Sequence, residues 1–116
     1  MKKITTESEI KIRIGLNEAK FPEKIQWMAT DTPEGSQWQE SKAMLISFFD
    51  KKTSETMKID LWTSEMQVFE MDRFMYQTLR ALADTYFNST KNAALANEMV
   101  KFVQYFGEKT EVTGKQ

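Results

Sequence analysis

The sequence predicts an α+β fold: a four-stranded antiparallel sheet followed by two helices packed on one face, a two-layer β4–α2 arrangement. Three observations predict it. In the first half of the chain, apolar and polar residues alternate in several short segments, the period of a half-buried strand. In the second half, two apolar stripes recur at helical spacing. The connections between the alternating segments are short and polar, which favours antiparallel neighbours, and a sheet with one apolar face needs a second layer to cover it. The 116 residues suit a single domain that buries roughly two-thirds of its unfolded surface, with an ordered core over about 8–108 and short tails.

The first strand is Glu9-Ile10-Lys11-Ile12-Arg13-Ile14, continuing through Gly15 to Leu16. Its four aliphatics line one face while Glu9, Lys11 and Arg13 point to water. Asn17–Lys20 is a polar connection, and Ile25-Gln26-Trp27-Met28-Ala29 is a second, shorter alternation. Asp31-Thr32-Pro33-Glu34-Gly35-Ser36 has the residues of a loop, which extends to about Ser41. Ala43–Phe49 and Thr56–Trp62 form the third and fourth strands, joined by the hairpin turn Asp50-Lys51-Lys52-Thr53-Ser54. The third strand is apolar on both sides, with Met44, Ile46 and Phe48 on one and Ala43, Leu45 and Phe49 on the other. The fourth puts Met57, Ile59 and Leu61 on one face and Lys58, Asp60 and Trp62 on the other. The expected helix-facing side of the sheet is therefore Ile10, Ile12, Ile14, Leu16, Ile25, Trp27, Met57, Ile59 and Leu61.

Met71, Met75, Leu79, Leu82 and Tyr86, widened by Phe74 and Phe87, form the stripe of the first helix. Leu79, at mid-stripe, is expected to be fully enclosed. Asn88-Ser89-Thr90 breaks that helix and offers caps for the next. Leu95, Met99, Phe102, Val103 and Phe106 form the second stripe, with Gly107 as the residue that ends it, and Lys109–Gln116 frays.

Composition closes most catalytic routes. Histidine and cysteine are both absent. That excludes Ser-His and Cys-His nucleophiles, imidazole bases, Cys/His zinc sites and disulfides. The glycines at 15, 35, 107 and 114 stand apart, so no phosphate-cradling loop exists. No cofactor is expected. Sixteen basic residues face seventeen acidic ones, with a net charge of −1 and a pI near 5.6, so neither nucleic acid nor an anionic membrane attracts the chain electrostatically. Met1-Lys2-Lys3 leads into polar residues rather than an apolar signal core, and the longest nearly apolar run, Ala43–Phe49, is too short to span a bilayer. A cytoplasmic protein without direct membrane insertion is expected.

The candidate partner-binding residues are Asp60 and Trp62 on the polar side of the fourth strand, and Trp38 in the loop. An exposed aromatic beside a charge marks an interface, although strand-end aromatics also pack under loops, and Asp60 has Lys58 within reach. Trp38 either folds back or contacts something outside. Met71, Met75 and Met99 fall on core stripes, so packing accounts for them. Glu70 and Asp72 sit in a first helical turn, where the helix dipole favours acids, and residues two apart diverge too far for paired-carboxylate chemistry. Asp31, Glu34 and Glu40 share a loop but lack the dense spacing of a calcium loop. No metal site is expected.

One segment carries more than its physics. Ile59-Asp60-Leu61-Trp62-Thr63 with Met66 is similar to the GldC family of small soluble gliding-motility proteins from Bacteroidota. Ser8-Glu9-Ile10-Lys11, Pro22-Glu23-Lys24-Ile25 with Trp27, Gln77-Thr78-Leu79 and Ala83-Asp84-Thr85 extend the resemblance over roughly 8–108. Gln67 follows Met66 where the family pattern has proline, and Tyr76 precedes Gln77 where it has histidine. The resemblance implies a non-enzymatic accessory of gliding motility, a system connected with type IX secretion. It supplies no binding residues; action through a protein partner of that machinery or through self-association is expected instead from the outward sheet face, which the two-sided apolar third strand and Trp62 leave uncovered. Two alternatives stand beside it. The β4–α2 order matches SecB-like export chaperones in topology alone, which suggests a binder of exported proteins. A small carboxylate-dependent enzyme is the alternative from another class.

Overall fold

The computed structural model describes residues 2–31, 33 and 36–113. The chain divides into two units, Met1–Met66 and Gln67–Gln116. The first contains β1 (Ile10–Leu16), β2 (Pro22–Ala29), β3 (Gln39–Ser41), β4 (Ala43–Phe49) and β5 (Thr56–Trp62); the second contains α1 (Val68–Thr90) and α2 (Ala93–Thr110). The α+β class holds. The single four-stranded sheet does not, because the strands form an antiparallel three-stranded sheet, β1-β2-β3, and an antiparallel pair, β4-β5.

The difference arises at Lys42. Gln39, Glu40 and Ser41 pair with Trp27, Gln26 and Ile25, then the chain bends at Lys42 and Ala43 starts a new ladder with Trp62. The Lys42 carbonyl accepts the Thr63 N–H at 2.8 Å. Thus β2 has β3 rather than β4 as its hydrogen-bonded neighbour. Five strands also remove the four-strand order on which the likeness to export chaperones rested.

Register follows alternation. Ile12 lies opposite Trp27 and Ile14 opposite Ile25, with an irregularity at Gly15/Leu16 that brings Leu16 opposite Pro22. Directly opposed residues share a face, so the β1 and β2 apolar residues lie together. In the second ladder Met44, Ile46 and Phe48 oppose Leu61, Ile59 and Met57. Ala43 and Leu45 oppose Trp62 and Asp60 on the other face. The β4–β5 turn is held by Asp50, whose carboxylate accepts the N–H groups of Lys52 and Thr53 at 3.0 and 2.8 Å. Ser54 completes it in the left-handed region, at φ 58°.

Ile25 is 1% exposed, because β1 and β3 flank it on the central strand. The rest of the expected enclosed set is more open: Ile10, Ile12, Leu16, Met57 and Ile59 are exposed. Lys11 and Lys58 are exposed as well. Ile25 has a hydrogen-bonded strand on each side, opposite Ile14 of β1 and Ser41 of β3. An apolar groove of about 440 Å³, lined by Ile12, Ile25, Trp27, Met44, Ile46 and others, runs along this face.

In the helical unit, Glu70 caps α1 by accepting the Gln67 N–H at 3.0 Å. The helix runs straight through Asn88-Ser89-Thr90. The Ser89 and Thr90 hydroxyls donate back to the Tyr86 carbonyl at 3.2 and 2.8 Å, a bond that lets hydroxyl residues stay helical. The break falls one residue later, at Lys91, with φ 60°. Asn92 then caps α2, its side chain accepting from the Leu95 N–H at 3.1 Å.

Small side chains occupy the most buried positions of this unit: Ala83 of α1, and Ala96, Val103 and Gly107 of α2. Gly107 does not end α2. A Cβ there would stand 2.6 Å from Tyr76 Cε1, so the position is glycine because the α1 ring lies against its backbone. Helix α2 continues to Thr110, and Glu111 caps it in the left-handed region. The fray expected from Lys109 thus starts too early, and its final residues, 114–116, lie outside the described residues. The apolar stripe is also rotated: Leu95 and Phe102 are about half exposed, one position beside the Ala96–Val103–Gly107 row. Leu79 is half-buried, not fully enclosed.

Candidate functional site

A cleft of about 480 Å³ opens in the β unit where the β1–β2 connection meets the end of β5. Asn17 shapes the first wall. Its side-chain carbonyl accepts the N–H groups of Ala19 and Phe21 at 2.9 and 3.1 Å, folding the connection into an Asx-type turn. Lys20 sits at φ 69° within it. The turn delivers Phe21, which is 66% exposed, and then Pro22 and Glu23, which open β2. Proline is tolerated there because a strand's first residue does not need its N–H in the ladder.

The second wall is the end of β5 together with the two residues after it, from Asp60 to Ser64. Glu23 ties the walls together. Its carboxylate accepts from Asn17 Nδ2 at 2.9 Å and from Ser64 Oγ at 3.4 Å. Trp62 is 54% exposed and alternates with Asp60 and Lys58 on one face of β5. Asp60 accepts an ion pair from Lys58 Nζ at 3.1 Å. Thr63 is 3% exposed, and its hydroxyl has no hydrogen-bond partner among the described residues. The cleft thus presents apolar surface from Phe21, Pro22, Leu61 and Trp62, carboxylates from Glu23 and Asp60, and no lining cation among the described residues. That chemistry suits recognition.

The family model described as gliding motility-associated protein GldC-like matches residues 22–112. The chain belongs to the GldC-like family. Membership associates it with gliding motility. No curated protein and no solved structure matches the chain significantly. Glu23, Asp60, Trp62 and Thr63 fall within the GldC-like match, whereas Asn17 and Phe21 precede it. Among the described residues, no helix is long and apolar enough to cross a membrane.

Of the three residues singled out from the sequence, Asp60 and Trp62 line this cleft and Trp38 does not. Trp38 precedes β3, and the Arg13 guanidinium of β1 lies 4.2 Å from its ring centroid, a cation–π contact that folds the loop tryptophan back onto the sheet. Glu70 serves the α1 cap. Asp31 accepts a hydrogen bond from the Ser8 hydroxyl, Glu40 pairs with Lys24 at 3.8 Å, and Glu34 lies outside the described residues. Among the described residues, no three acidic side chains gather into a cation-holding group. Sequence reasoning missed Asn17, Phe21, Glu23 and Thr63. The available signal was an asparagine suited to an Asx turn followed by a Phe-Pro pair.

Proposed function

We propose that this GldC-like chain is a non-enzymatic accessory of gliding motility that works by docking another protein at the Trp62 end of β5. The observation that carries the proposal is Trp62 itself. A tryptophan with half its surface open, on the wall of a cleft, is the side chain that most often anchors protein interfaces. Asp60 beside it and Glu23 across the cleft supply polar contacts around an apolar centre, as interface rims do. The partner belongs to the gliding or type IX secretion machinery, and the meeting takes place in the cytoplasm. Neither nucleic acid nor insertion into a membrane is part of the reading. The absence of histidine and cysteine from the sequence supports a binding role over a catalytic one.

The test is photo-crosslinking in gliding cells that carry the gene, with a photoreactive phenylalanine analogue at position 62 and, for comparison, at position 80. Position 62 is expected to yield one defined adduct containing a gliding-machinery protein, and position 80 is not. An adduct between two copies of this chain would replace the docking partner with self-association. No adduct at position 62 would remove the reading.

A further inference from the structure

We propose that the Trp62 cleft is a peptide-binding site for an extended segment that presents an arginine next to a large apolar side chain. The inference rests on the docking role proposed above and specifies what the docked segment looks like. Charge selects the arginine. Glu23 and Asp60 both line the cleft, and among the described residues no lysine or arginine does. Asp60 already has Lys58 at 3.1 Å. Glu23 is held by neutral donors, Asn17 Nδ2 and Ser64 Oγ, which orient its carboxylate without neutralising it. A carboxylate has about four lone-pair sites, so two hydrogen bonds leave it able to receive a guanidinium. Arginine fits better than lysine because its planar fork meets a carboxylate with two bonds and also stacks on an aromatic face, here Trp62 or Phe21.

The apolar requirement comes from the opposite chemistry of the same walls. Phe21 and Trp62 leave more than half of their surface open, and with Pro22 and Leu61 they form an apolar lining. Aromatic surface of this kind is covered by a large apolar side chain, while the polar groups around it fix orientation. A volume of about 480 Å³ holds a short stretch of extended chain rather than a folded face.

The experiment is a titration of the full-length, ¹⁵N-labelled protein with three synthetic peptides, followed by amide and indole shifts. The probe is Gly-Ser-Arg-Phe-Ser-Gly; the controls are Gly-Ser-Glu-Phe-Ser-Gly and Gly-Ser-Arg-Ser-Ser-Gly. The Arg-Phe peptide is expected to move the Trp62 indole and the Glu23 and Ser64 amides saturably, with each control binding at least about tenfold more weakly. Glu23→Gln is expected to weaken the Arg-Phe peptide by about tenfold with the other resonances unmoved, and Glu23→Lys to reverse the preference towards the Glu-Phe peptide. Equal shifts from the Arg-Phe and Glu-Phe peptides, or none at Trp62, would overturn the peptide class. A machinery adduct at position 62 alongside that result leaves docking intact and rejects only this inference. Selective Arg-Phe binding without any adduct in cells keeps the site and rejects docking as its use.

Discussion

Replacing Gly107 with alanine sets two opposing effects of known size against each other inside α2. In an ordinary helix interior, alanine is favoured over glycine by about 1 kcal/mol, because glycine gives up more backbone freedom on folding. At Gly107 the new Cβ would meet Tyr76 Cε1 at 2.6 Å, Thr113 Cγ2 at 2.9 Å and Tyr76 Cδ1 at 3.0 Å. Carbon atoms rest at roughly 3.5–4.0 Å, so the ring must retreat by about 1 Å. Overpacking of this kind costs about 1–3 kcal/mol. The cost exceeds the helical gain, and a net loss of about 1 kcal/mol is expected. Urea denaturation followed by circular dichroism reads it as a lower midpoint with an unchanged slope. The same substitution made together with Tyr76→Ala is expected to cost less than in the wild-type background, since only the Thr113 Cγ2 contact at 2.9 Å then opposes the helical preference. A higher midpoint for Gly107→Ala in the wild-type background would refute the close approach of Tyr76 to the α2 backbone.

Two further outcomes rest on single side chains. Thr63→Val keeps the shape of the side chain and removes a buried hydroxyl that has no partner among the described residues, so thermal or urea unfolding is expected to show a gain of about 1 kcal/mol; a loss of that size would mean the hydroxyl is bonded. Asp50 lies in the β4–β5 turn, where the Thr53 N–H first, then the Lys52 N–H and the Thr53 hydroxyl, hold its exposed carboxyl below the ordinary value. A lowered folded value means the turn is fully supported above about pH 4 and loses that support as pH falls through the lowered value. The Thr53 amide shift is expected to titrate with a midpoint below that of an unstructured aspartate, and a midpoint at or above it would contradict the hydrogen bonds.

Alternation carried the strands that use it. Thr56–Trp62 stands where period two places it and Ala43–Phe49 where its short apolar run before a polar turn does, and Met44, Ile46 and Phe48 meet Leu61, Ile59 and Met57 as parity requires. Gln39-Glu40-Ser41 was illegible for the complementary reason. Three polar residues have no alternation to read, and only the backbone of β2 makes them a strand. Asn88-Ser89-Thr90 misled because residues that favour caps can also bond back within a helix, as the Tyr86 carbonyl shows. Gly107 misled because a helix-ending glycine and a glycine beneath an aromatic ring look alike in one dimension. At the site, Trp62 was visible as an aromatic on the polar side of its strand. Glu23 was not, since its role depends on Ser64, 41 residues away.

Gliding itself provides the most direct measurement of the docking claim. In cells whose own copy is replaced by Trp62→Glu, produced at wild-type level and with an unchanged circular dichroism spectrum, colony spreading is expected to fall to that of cells lacking the protein. Arg80→Ala, at an exposed position on α1, is expected to leave spreading intact. Normal spreading by the Trp62→Glu cells would contradict the account.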